Sequence, residues 1–88
     1  MAKIIKVNGD MITVEPQNCS DFQLKELQGI VGGYIEVVPI GDGQLIVVDE
    51  DGRAKGYQHN SIASLAVAGK VIGDIVGDML ICKDTEIL

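Results

Sequence analysis

The sequence predicts a single small α+β domain. Two β-hairpins and a C-terminal strand or hairpin form one largely antiparallel sheet with two short helices, in the order ββαββαβ. Three observations carry this. Short apolar runs recur with glycine-rich turns between them, and 11 of the 88 residues are Gly. Two segments, opening near Ser20 and at Asn60, instead pair helix-start residues with apolar positions at helical spacing. A chain of 88 residues, 47% of them hydrophobic, has the material for one core and no more. No linker composition interrupts it, so residues 1–88 are read as one domain, with 83–88 as a tail expected to fray unless Ile87 and Leu88 dock.

The first hairpin turns at Asn8-Gly9, a strong two-residue signal because a type I′ turn needs positive φ at both central positions. That loop pairs Val7 with Asp10, Ile5 with Ile12 and Lys3 with Val14, and gathers Ile5, Val7, Ile12 and Val14 on one face. A three-residue loop segregates the faces less well and is not preferred. Pro16 ends the second strand, having no N–H for a ladder. Ser20 then caps a helix, Gln23 completes a capping box, and Asp21 suits the positive end of the dipole. Phe22, Leu27, Ile30 and Val31, with Leu24 at the edge, form its apolar stripe. Gly32-Gly33 ends it by allowing a left-handed residue.

The second hairpin joins Tyr34–Ile40 to Gln44–Val48 through Gly41-Asp42-Gly43. Both strands are apolar at nearly every position, the pattern of strands covered on both faces or lying at an oligomer interface. Pro39 predicts a locally unpaired strand beside the turn. Residues 49–60 are the most polar stretch and read as a turn plus an extended loop. Asn60 caps a second helix, Ser61 to Ala68, with Ile62, Leu65 and Ala66 facing inward and Gly69 at its end. Lys70-Val71-Ile72 and Met79-Leu80-Ile81-Cys82 are the last extended segments, on either side of a turn-rich connection.

Seven basic and thirteen acidic residues leave a net charge of −6, with no Trp, one Phe and two Tyr. A non-specific nucleic-acid binder needs a basic face and aromatic platforms, so no direct nucleic-acid binding is expected. The apolar runs are too short to span a membrane, and the N-terminus reads as a strand rather than a secretory signal. The expected location is cytoplasmic, with Cys19 and Cys82 as reduced thiols.

Two distant Cys and one His do not make a zinc set. Asp49-Glu50-Asp51-Gly52 departs from a calcium loop, with Gly in fourth rather than sixth place and no Glu in the twelfth. No metal and no cofactor are expected. His59 is the one ordinary base, and Ser61 beside it is better read as a first-turn helix residue, so the chain is not expected to be an enzyme. Gly32-Gly33 follows a helix instead of opening one, which argues against a phosphate cradle. The polar loop is the candidate binding surface. Arg53, Lys55, Tyr57, His59 and Asn60 combine cations, an aromatic face and a helix start, a set suited to an anionic, nucleotide-like ligand. Asp49, Glu50 and Asp51 form a candidate acidic surface, and a carboxylate-rich surface can occupy a basic groove on another protein.

Several stretches carry a family likeness: KIIKVNGD at 3–10, ELQGIVGGYIEVVPIGDGQLIVVDEDGRAKG at 26–56, HNSIAS at 59–64 and IVGDMLIC at 75–82. Over nearly the whole chain the sequence resembles the domain-of-unknown-function family numbered 3846. The resemblance implies a setting among phages, plasmids and conjugative elements, and it transfers no catalytic residue. The resulting expectation is a non-enzymatic accessory protein of a phage or mobile element. It acts by binding, antagonising a host defence protein or its nucleotide signal, with no membrane partner. The alternative is a structural or assembly module that forms a homodimer through the apolar second hairpin.

Overall fold

Apolar residues occupy successive positions of the inner strands because both faces of the sheet are covered. The computed structural model describes residues 2–71 and 73–87. Its elements are β1 (Ala2–Ile5), β2 (Met11–Val14), α1 (Leu24–Val31), β3 (Ile35–Gly41), β4 (Gln44–Asp49), α2 (Ser61–Ala66) and β5 (Met79–Lys83), followed by a 3-10 turn, Asp84–Glu86. The five strands form one sheet in the order β2-β1-β5-β4-β3. Every pairing is antiparallel, and β5 lies between the two hairpins, against β1 and β4. Leu45, Val47, Leu80 and Cys82 point to the face covered by α1, where they pack with Leu27, Val31 and Phe22. Ile46, Met79 and Ile5 point to the other, where Ala63, Val67 and Ile75 close over them. The chain is thus a three-layer α+β domain, and no helix among the described residues is long and apolar enough to cross a membrane.

The first hairpin has a different register from the one that Asn8-Gly9 predicts. Ile4 faces Ile12 and Ile5 faces Met11. The loop is the three residues Val7–Gly9, closed by Lys6 N–H to the Asp10 carbonyl at 2.9 Å and by Gly9 N–H to the Lys6 carbonyl at 3.0 Å. Only Gly9, at φ 95°, takes the left-handed conformation in this loop, and a type I′ turn requires two such residues. Asn8 instead accepts the Asp10 N–H on its side chain at 2.9 Å. The preference for one apolar face misleads here because Ile4 packs on the α1 side while Ile5 packs on the α2 side. The two-residue turn with both centres at positive φ occurs in the second hairpin, at Asp42 (56°) and Gly43 (74°). The ladder shifts between Pro39 and Gly41, as a strand proline beside a turn predicts.

The first helix begins at Leu24 and not after Ser20. Asn18 Oδ1 accepts the N–H groups of Ser20 and Asp21, both at 2.9 Å, which holds this segment in a turn. Gln23 is the cap, and its N–H donates to Glu26 Oε1 at 3.1 Å. Phe22 is buried but lies outside the helix, in a parallel bridge to Ile87, and its N–H donates to the Glu86 carbonyl at 2.6 Å. That bridge also places the C-terminal segment, with Ile87 in the docked position. Beyond Lys83 the chain continues through the 3-10 turn to Ile87, which packs on the α1 core; Leu88 lies outside the described residues.

The second helix is shorter than its sequence pattern and turned about its axis. It ends at Ala66, and Ala63 and Val67 face the sheet while Ile62 and Leu65 are 41% and 77% exposed. Ala66 is exposed as well. Lys70 and Val71 form no strand; the Lys70 N–H closes a turn onto the Val67 carbonyl at 2.9 Å. Ile72, the third residue of that predicted segment, lies outside the described residues.

Cys82 is buried in the α1-side core, whereas Cys19 is exposed. Burial first, and then the nearby Glu86 carboxylate, push the Cys82 thiol from its ordinary 9.0 up to about 11. The folded state therefore holds this proton more tightly than the unfolded chain. Its contribution to stability is whole below about pH 9 and is lost as pH rises towards 11, at no more than about 1.4 kcal/mol per pH unit. Urea unfolding of the protein and of Cys82→Ala across that interval should give a steeper alkaline decline for the native chain. Parallel declines would contradict the assignment.

Candidate functional site

The alternation of β4 decides where the polar loop begins. Leu45 and Val47 point towards α1, and two residues further on the same alternation turns Asp49 inward, where it is only 6% exposed. A buried carboxylate needs donors, and the loop returns to supply them. Lys55 Nζ donates to Asp49 Oδ2 at 2.8 Å, Tyr57 Oη donates to the same oxygen at 2.9 Å, and the Asp51 N–H donates to Oδ1 at 2.8 Å. Lys55 Nζ also reaches the Gly32 carbonyl at 3.3 Å, at the end of α1. Burial alone would raise the Asp49 carboxyl, but the hydrogen bonds from Lys55, Asp51 and Tyr57 outweigh it and hold the group below its ordinary 3.8. The same bond to Asp49 raises Lys55 above its usual value, against a smaller opposing effect of burial.

The Gly32-Gly33 pair has a packing role here. A Cβ on Gly32 would stand 2.8 Å from Tyr57 Oη, and one on Gly33 would collide with Lys55 Nζ and lie 2.9 Å from Asp49 Oδ2. Gly32 is also the left-handed C-cap of α1, with φ 96°. Two glycines therefore both end the helix and let it approach the Asp49 cluster.

The remaining loop residues face elsewhere. His59 forms an isolated bridge with Val76, and its Nε2 lies 3.5 Å from Asp74 Oδ2 and 3.4 Å from Ser64 Oγ. Ser61 Oγ is 3.5 Å from His59 Nδ1. Arg53 Nη2 donates to the Asp74 carbonyl at 2.6 Å. Ser64 Oγ accepts the Ile75 N–H at 2.9 Å, so this hydroxyl is engaged in holding the connection to β5. Asn60 is 1% exposed. Its Oδ1 accepts the Ala63 N–H at 3.1 Å, and its Nδ2 donates to the carbonyls of Ile5 and Gly77, both at 2.8 Å.

The residues chosen for a nucleotide-like ligand thus divide into two groups and a buried tether. Lys55 and Tyr57 turn towards Asp49 and α1, Arg53 and His59 turn towards Asp74, and Asn60 lies beneath them. The proposed acidic surface needs one correction. Glu50 and Asp51 are exposed, but Asp49 faces the interior because the strand alternation of Leu45 and Val47 runs on through it.

A cleft of about 370 Å³ escaped the sequence reading. It lies between the last turn of α1 (Gly29 to Gly32), Val7 in the first hairpin loop, and the paired segments Tyr57-Gln58 and Gly77-Asp78. Gln58 and Gly77 are joined by the Gly77 N–H to the Gln58 carbonyl at 2.9 Å, and the Val7 N–H donates to Asp78 Oδ1 at 3.1 Å. A glycine inside a helix and a Gly-Asp pair before a strand were its only traces in the sequence, and neither specifies a cleft.

The family model of a domain of unknown function, DUF3846, matches residues 2–87, and the chain belongs to that family. No curated protein and no solved structure matches the chain.

Proposed function

We propose that this member of the DUF3846 family is a non-enzymatic accessory protein of a phage or mobile element that acts as an acidic ligand for a basic surface on a host defence protein. One observation carries the reading. Lys55, Tyr57 and Asn60, suited to a small anionic ligand, are engaged within the fold, while exposed carboxylates such as Asp10, Glu15, Glu36, Asp42, Glu50 and Asp74 outnumber the exposed cations of a chain with net charge −6. Opposite charge steers association and is screened by salt. Captured from host extract on the immobilised full chain, the partner should be a basic protein, held at low ionic strength and released by added salt. Retention indifferent to salt, or a thermal shift with one of a panel of cyclic nucleotides, would overturn this reading.

The second reading, a homodimer through the second hairpin, is favoured by the position of β3 at one edge of the sheet, with Val37 39% exposed and neighbouring Tyr34 70% exposed. Glu36, Pro39 and the ladder shift oppose it, since charge, proline and bulges are what blunt an edge against pairing. Light scattering giving 9.4 kDa would remove it, and twice that mass would favour it.

A further inference from the structure

We infer that the cleft at the end of α1 receives the guanidinium group of an arginine side chain projected by the basic partner. The inference rests on the acidic-ligand reading and adds where and how the contact is made. An arginine has an apolar stem and a planar cationic head, and the cleft offers a counterpart to each. Val7, Ile30 and Val31 line it with aliphatic surface, and the Tyr57 ring adds an aromatic wall. The head would meet two sources of negative potential. One is the end of α1, whose last turn holds no basic residue and whose partial negative charge is only partly offset by Lys55 Nζ, 3.3 Å from the Gly32 carbonyl. The other is Asp78, half-buried at the rim, with Oδ1 fixed by the Val7 N–H and Oδ2 left for a second donor. Among the described residues no Lys, Arg or His lines the cleft; Lys55, the cation nearest the helix end, is shared between Asp49 and the Gly32 carbonyl.

Gly29 makes the cleft testable without disturbing the fold. A Cβ there meets nothing within 4 Å, and its φ is not in the positive range, so the Gly29→Leu side chain starts in open space without backbone strain and with better helix propensity. The full chain should be titrated at low salt with a hexa-arginine peptide, followed by backbone amide shifts and by affinity. Shifts should centre on Gly29, Gly32, Gly77 and Asp78. Gly29→Leu and Asp78→Asn should each weaken binding about tenfold, with the melting temperature of Gly29→Leu equal to or above that of the parent. Asp42→Asn makes the same charge change in the turn at the opposite end of β4, and should cost less than about twofold. Peptide bound with shifts elsewhere, or weakened equally by Asp42→Asn and Asp78→Asn, would overturn the cleft and leave the acidic-ligand reading standing. No binding at low salt would overturn both. Hexalysine bound at the cleft as tightly as hexa-arginine would overturn the guanidinium assignment.

Discussion

Replacing Asn60 by Ala should destabilise the domain by about 4 kcal/mol, a large share of the roughly 5–15 kcal/mol that holds a small domain together. One side chain serves three elements. Its oxygen caps α2 through the Ala63 N–H, and its amide ties that helix to the Ile5 carbonyl at the end of β1 and to the Gly77 carbonyl before β5. Loss of the cap alone costs about 1 kcal/mol. The rest comes from two carbonyls stranded where Asn60 itself is 1% exposed, at about 1–3 kcal/mol each. Asn60→Ser separates the contributions, because its hydroxyl can still cap the helix but cannot reach both carbonyls. Chemical unfolding should rank native above Ser above Ala. A loss near 1 kcal/mol for Ala would mean that Asn60 is a cap and nothing more.

The same residue explains part of what the sequence conceals. Asn60 was legible as a cap because caps are local, four residues being enough to specify one. Its amide contacts lie 55 and 17 residues away, and nothing local announces them. Once they form, they fix the rotation of α2 and bring small Ala63 against the sheet, leaving Ile62 and Leu65 outside. A stripe chosen by side-chain size misses a helix whose close approach demands a small residue. The seven main elements and their order follow from turn and periodicity signals, whereas the insertion of β5 between β1 and β4 does not. The hairpin register failed for a related reason. Alternation specifies a register when one face is wet, and here both faces of β1 are covered. Asp49 is the opposite case. Leu45-x-Val47-x-Asp49 already placed it inward, but its position at the head of an acidic run suggested a surface residue. The polarity of Arg53 to Asn60, read from the sequence as a candidate binding surface, serves a buried carboxylate, a helix cap and the connection to β5.

Asp49→Asn should cost about 2–3 kcal/mol, and the loss should depend on pH in a way that identifies its cause. The neutral amide cannot satisfy Lys55, Tyr57 and the Asp51 N–H together, since it offers one acceptor oxygen and places an NH₂ against donors. Lys55 can swing into water, its side chain being 38% exposed, so the expected loss falls mainly on the Tyr57 hydroxyl and the Asp51 N–H. In the native chain the folded state holds the Asp49 carboxyl below its ordinary 3.8. A depressed folded value contributes stability that is complete above the unfolded value and is lost as pH falls through the folded one. The native protein should therefore lose this advantage below about pH 4, while the Asn variant has no such group to protonate. Unfolding free energies of the two should differ most near neutrality and converge in acid. A constant difference from pH 7 to pH 2 would show that shape, and not the carboxylate charge, matters at this position. Binding supplies the second half of the test. Asp49 is buried and lies outside the α1 cleft, so the folded variant should keep its salt-sensitive affinity for a basic partner. Loss of that affinity with the fold intact would return the loop to the centre of the function.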